Sequence, residues 1–131
     1  MKGLLLDTHC LLWLLGDPGR FRAGVVERIE AEAGRVHVSL VSYWEIALKA
    51  GTGRLRLAPG FEEWLPRRVA ESGLRTLDIR APHLFASAAL PRHHADAFDR
   101  LLLAQAQAEG LALVTADPAM AAYAVPVVEA G

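Results

Sequence analysis

Asp7, Glu45, Asp99 and Asp117 are spaced along the chain in a way that could bind a hard cation. In "LLLD" an aspartate follows an apolar run that reads as a strand, and "LALVTAD" repeats the arrangement near the other end of the chain. Glu45 falls in the first turn of a helix-like segment, and Asp99 opens the longest one. Each acid also has a purely structural reading. Asp7 precedes Thr8 at a helix start, where an anion meets the positive end of the helix dipole. Ser42 and Glu45 have the spacing of a capping box, and Lys49 stands one turn beyond Glu45. Asp96 is a natural N-cap with Asp99 as its box partner and Arg100 four residues on. Asp117 before Pro118 is the usual sequence of cap and first helical proline.

Taken together, the acids say more. In a parallel sheet, Asp7 and Asp117 leave the carboxyl edge, and the helices bearing Glu45 and Asp99 begin on that same side. Like charges ~4 Å apart repel by on the order of 4 kcal/mol at an effective dielectric of about 20. Capping gives no reason to accept that repulsion. A Mg²⁺ or Mn²⁺ ion does, because it prefers oxygen ligands and leaves positions open for a phosphate. Trp44, Ile46 and Leu48 flank Glu45, and Leu102 and Leu103 follow Asp99, so both acids are rooted in apolar helices. Asp96 is a fifth acid on the stripe of Asp99 and Leu103; its cap position and Arg100 assign it to the scaffold rather than to direct contact with metal.

The elements that must position these groups alternate. Residues 2–6, 35–40, 74–79, 111–117 and 125–130 read as strands, and 8–15, 22–33, 42–51, 61–73, 82–90 and 96–110 as helices, with Gly51 ending the third of these. Residues 118–123 form a helical turn and "PRHH" a loop. Such alternation predicts an α/β fold with a central, mostly parallel sheet flanked by helices on both faces. Sites in such sheets lie beyond the carboxyl ends of the strands, at a switch in strand order. With no repeat, linker or low-complexity tract, residues 1–131 read as one domain.

Composition narrows the class. Hydrophobic residues make up 53% and charged ones 22%, which argues against disorder. The net charge of −1 excludes a sequence-wide basic field, so any nucleic-acid contact is local. Lys49, Arg54, Arg56, Arg67 and Arg68 cluster in sequence, either as a solvated surface or as an RNA-facing patch. The single Cys10 lies among leucines and reads as a small buried hydrophobe in a reducing compartment. No membrane span or cleavable leader pattern is visible, and the cytoplasm is the expected location.

The blocks "LLLDTHCLLWLL", "SLVSYWEIALKAGTGRL", "LPRHHADAFDRLLLAQAQAEGLALVTAD" and "MAAYAVPVVEA" run in order over almost the whole chain. In this it resembles the PIN-domain nucleases, specifically the VapC toxins of bacterial toxin–antitoxin pairs. That resemblance implies a PIN-like fold and assigns Asp7, Glu45, Asp99 and Asp117 to binding Mg²⁺, with Mn²⁺ able to substitute. Asp99 is preferred to Asp96 because "DRLLLAQA" matches the family's acid, apolar turn and alanine-rich helix. Asp7 and Asp99 are expected as direct ligands, Glu45 and Asp117 as direct or water-mediated ones. Thr115 matches a hydroxyl position beside the last acid, and Thr8 is a second supporting hydroxyl. Ala97 departs from the family's usual proline, which softens helix entry without removing an acid. Also implied are metal-dependent hydrolysis of structured RNA such as tRNA or rRNA, leaving a 5′-phosphate and a 3′-hydroxyl. A homodimer and a small VapB-like antitoxin laid over the cleft are the expected partners.

The histidines invite another chemistry, zinc binding or acid–base catalysis. Neither "DTH" nor "RHHAD" supplies the spaced helical pairs of a zinc site, so His93 and His94 are read as shaping the loop before the long helix. Trp13, Trp44 and Trp64 are read as core or partner contacts. An aspartate-based phosphatase would want a second acid two residues after Asp7, where His9 stands. An inactive PIN-like binding module is the rival from outside the enzymes, and four intact acids argue against it.

Overall fold

The computed structural model describes residues 3–131. Lys2, placed by the sequence reading at the start of the first strand, lies outside them. Five strands, β1 (Leu4–Leu6), β2 (Val36–Ser39), β3 (Arg75–Leu77), β4 (Ala112–Thr115) and β5 (Val127–Glu129), form one sheet in the order β3-β2-β1-β4-β5. Every pairing in it is parallel. The chain runs outward from β1 to β3 and then returns to lay β4 on the other side of β1. The switch point therefore falls between β1 and β4, where Leu6 pairs with Val114.

Six helices cover the sheet: α1 (Thr8–Gly16), α2 (Val25–Ala31), α3 (Leu40–Gly51), α4 (Phe61–Glu71), α5 (Ala81–Ala89) and α6 (Ala97–Glu109). The alternation of strand side chains divides the core in two. Leu4, Leu6, Val36, Val38 and Val114 pack with Cys10 and Leu11 of α1, Ile29 of α2 and Val69 of α4. Leu5 and Leu113 point the other way, onto Leu102, Leu103 and Ala106 of α6. Burial on both faces is why the central strands β1 and β4 read as nearly unbroken apolar runs.

Two local features are set by backbone geometry. Gly3 has φ +126°, and a Cβ there would lie 2.1 Å from the Arg35 carbonyl oxygen, so β1 can approach β2 only with glycine at this position. The third helix ends differently from the sequence expectation. Gly51 is its last residue, Thr52 is its C-cap, and the left-handed glycine is Gly53.

Candidate metal centre

Asp7 leaves β1 at the switch point, its N–H donating to the Val114 carbonyl at 3.0 Å. Its Oδ1 caps α1 by accepting from the Cys10 N–H at 2.8 Å, and the residue is buried. Burial, and then the negative charge of Asp7, push the Cys10 thiol well above its ordinary range, which keeps it protonated and inert.

Glu45 sits in the second turn of α3, not the first. Ser39, the last residue of β2, caps this helix by accepting from the Val41 N–H at 3.0 Å, so the expected box of Ser42 with Glu45 does not form. Ser42 instead accepts a buried hydrogen bond from the Thr8 hydroxyl at 3.0 Å. The expected pairing of Glu45 with Lys49 is present: Nζ donates to Oε2 at 2.5 Å. The other oxygen, Oε1, is buried and accepts no hydrogen bond. An acceptor left in that state costs about 1–3 kcal/mol, more when charged, unless something else occupies its lone pairs.

Asp96 caps α6, accepting from the Asp99 N–H at 3.0 Å, as its position in the sequence suggested. Its expected pairing with Arg100 does not occur. The Arg100 guanidinium is buried and donates to the carbonyls of Ser87, Leu90, Pro91 and His94, because the turn between α5 and α6 leaves those oxygens without helical partners. The Asp99 carboxyl is pushed up to about 6, chiefly by burial and then by the negative charge of Asp96; Glu45 and Asp7 add to the rise, and His94 opposes it. Three of the acids named from the sequence, Asp7, Glu45 and Asp99, thus share one electrostatic neighbourhood.

Asp117 caps the short 3-10 helix Pro118–Ala122 through Oδ1, which accepts from the Ala119 N–H at 3.0 Å. Thr115 is buried at the end of β4, and its hydroxyl accepts from the Asp117 N–H at 3.1 Å. Asp117 is linked to Asp99 through His94, which the sequence assigned to a loop. His94 Nε2 lies 2.8 Å from Asp99 Oδ2 and 3.1 Å from Asp117 Oδ2. These three donor atoms all lie within 4.8 Å of one another. The one trace of this in the sequence is that His94 stands two residues before the cap of α6; its reach to Asp117 depends on how the chain folds back.

The donor set fits a divalent cation: an Asp99 carboxyl raised by burial and by neighbouring acids, an unpartnered buried oxygen on Glu45, and an imidazole nitrogen between two carboxylates. Positive charge lies alongside. Thr8, His9, Lys49 and Arg54 line a shallow hollow with Leu12, Ile46 and Leu55. Arg68, from the same basic cluster in sequence, is a scaffold group that donates to the Leu15 carbonyl.

A model of the PIN domain matches residues 4–126, so the chain belongs to the PIN-domain family. Over 127 residues it is 32% identical to ribonuclease VapC22 of Mycobacterium tuberculosis, covering 96% of this chain and 95% of that protein, which places it among the VapC-like PIN domains. The fold is shared with a chain of the DNA-bound VapBC from Salmonella typhimurium, at TM-score 0.73 and 18% identity over 98% of each chain. It is also shared with a chain of a toxin–antitoxin complex from Klebsiella pneumoniae, at TM-score 0.67 and 24% identity over 96% of each.

Proposed function

We propose that residues 1–131 form a single PIN domain that acts as a metal-dependent endoribonuclease, the toxin of a toxin–antitoxin pair. The observation that supports this reading is that Asp99 Oδ2, Asp117 Oδ2 and His94 Nε2 lie within 4.8 Å of one another, while a buried Glu45 oxygen lacks a partner. In this reading Asp7 and Asp99 bind Mg²⁺ directly, with Mn²⁺ able to substitute, and Glu45 and Asp117 bind directly or through water. A bound cation supplies the positive charge that holds a scissile phosphate and acidifies a water nucleophile. Thr115 fixes the backbone turn that aims Asp117. Lys49 balances one Glu45 oxygen and, with Arg54, offers phosphate contacts next to the acids. Asp96 serves by starting α6 where Asp99 enters the cleft.

The substrate in this reading is RNA, and the partners are a VapB-like antitoxin and a second copy of the chain in the cytoplasm. The relative is named a ribonuclease, one structural neighbour is a toxin–antitoxin complex, and another is a DNA-bound VapBC. Exposed Trp44 and Leu48 on α3, with Leu84 and Phe85 on α5, supply apolar surface for the dimer. Among the described residues no helix is long and apolar enough to cross a membrane.

Incubation of purified protein with structured RNAs and Mg²⁺ or Mn²⁺ tests the activity. Cleavage that leaves 5′-phosphate ends, stops with EDTA and is lost in Asp7→Asn and Asp99→Asn is the expected result. RNA binding without cut products in the wild type would overturn it in favour of a binding module.

A further inference from the structure

The cation site, on whose reading this inference rests, contains one group that is not an acid. We infer that His94 is a nitrogen ligand of the cation through Nε2, making a mixed nitrogen–carboxylate centre that prefers Mn²⁺ and later divalent transition ions to Mg²⁺. Three observations carry this.

The first is spacing. Ions that bind oxygen and nitrogen at about 2.1 Å in octahedral geometry set neighbouring ligand atoms roughly 3.0 Å apart. Nε2 stands 2.8 Å from Asp99 Oδ2 and 3.1 Å from Asp117 Oδ2, so the ring nitrogen already has the separation of an adjacent ligand from each carboxylate, and all three donors lie within 4.8 Å of one another. The second is rigidity. The His94 N–H donates to the Tyr123 hydroxyl at 2.8 Å, that hydroxyl donates to the Pro91 carbonyl at 2.9 Å, and Arg100 binds the carbonyls of Pro91 and His94. The backbone on both sides of the ring is therefore fixed, and the imidazole is aimed by buried groups instead of by a loose surface loop. The third is the unpartnered, buried Oε1 of Glu45, which shows that the hydrogen bonds of the protein alone do not satisfy this acid.

A simple counter-charge would need only a protonated ring; a ligand must give up its Nε2 proton to solvent as the lone pair bonds to the ion. Nδ1 can keep the remaining proton, because the Asp96 N–H is 3.5 Å from it, at the outer limit of hydrogen bonding, and does not dictate the tautomer. Imidazole suits transition ions, and Mg²⁺ favours carboxylate, carbonyl and water oxygens, so the ring shifts the preference of an otherwise all-oxygen site.

Pulsed electron paramagnetic resonance of the full chain carrying one equivalent of Mn²⁺ reads the bond directly. The expected result is a strong modulation from a directly bound ¹⁴N, absent in His94→Gln and retained in His9→Gln. Mn²⁺ affinity should fall about tenfold in His94→Gln while Mg²⁺ affinity changes less than about threefold. Bound Mn²⁺ with no coupled nitrogen in the wild type, or coupling that survives His94→Gln, would overturn the assignment and leave the acid site standing. Failure of Mn²⁺ to bind at all would overturn both. Should His94→Gln not fold, wild-type protein with ¹⁵N-histidine gives the same answer by NMR: Zn²⁺ must move the Nε2 resonance of the ring whose backbone amide contacts Tyr123, and an unmoved resonance refutes the bond.

Discussion

Thr8 Oγ1 donates to Ser42 Oγ across 3.0 Å of buried space, and the two residues are 34 positions apart in the chain. The bond ties the first residue of α1, next to Asp7, to the helix that carries Glu45, so the two acids are held in a fixed relation. Replacing Ser42 by alanine leaves a buried hydroxyl without its acceptor, which should cost about 1–2 kcal/mol. Urea denaturation of the metal-free protein checks this.

Asp99 sets a pH dependence of the metal-free fold. Its carboxyl, pushed up to about 6 from an ordinary 3.8, holds its proton more tightly folded than unfolded. Between these two values the native state binds more protons, so stability falls as pH rises from about 4 to about 6. The loss should be on the order of 1–2 kcal/mol, allowing for solvent screening at this partly exposed group. Asp99→Asn removes that slope, and equilibrium unfolding at a series of pH values in EDTA detects its disappearance.

A divalent cation should stabilise the protein by mass action. At about one hundred times its dissociation constant the gain is roughly 2.7 kcal/mol, a rise of several degrees in the unfolding midpoint. Differential scanning calorimetry with and without EDTA should show the shift in the wild type and its loss in Asp7→Asn.

Arg100 holds four carbonyl oxygens at the end of α5 and in the turn before α6. Arg100→Met strips those oxygens of their donor and should cost about 2–4 kcal/mol. Amide exchange in residues 92–95 should accelerate more than exchange in β1 or β4 if the damage is local to the turn that carries His94.

Ala97 is the first residue of α6, following an N-cap with φ −68° and ψ 120°. That extended conformation at Asp96 is the one proline requires of its predecessor, and the first helical N–H has no partner inside the helix. Ala97→Pro should therefore stabilise the fold by about 0.4–1 kcal/mol and leave RNA cleavage within about twofold, measured by thermal unfolding and initial rates.

The sequence by itself determined the alternation of strands and helices, the caps at Asp7, Asp96 and Asp117, and the pairing of Glu45 with Lys49. All of these depend on residues within four positions of one another, where covalent geometry fixes which side chain meets which amide. The sequence pointed to Ser42 as the cap of α3, and the structure uses Ser39. The choice fell to Ser39 because β2 runs directly into the helix, and its hydroxyl also reaches Gln105 of α6 at 2.5 Å, 66 residues away. Arg100 had Asp96 at helical spacing, yet the carbonyls of the preceding turn claimed its guanidinium. His94 became a neighbour of Asp117 only when β4 returned to the side of β1, since a contact across 23 residues is selected by packing and strand order and not by local spacing.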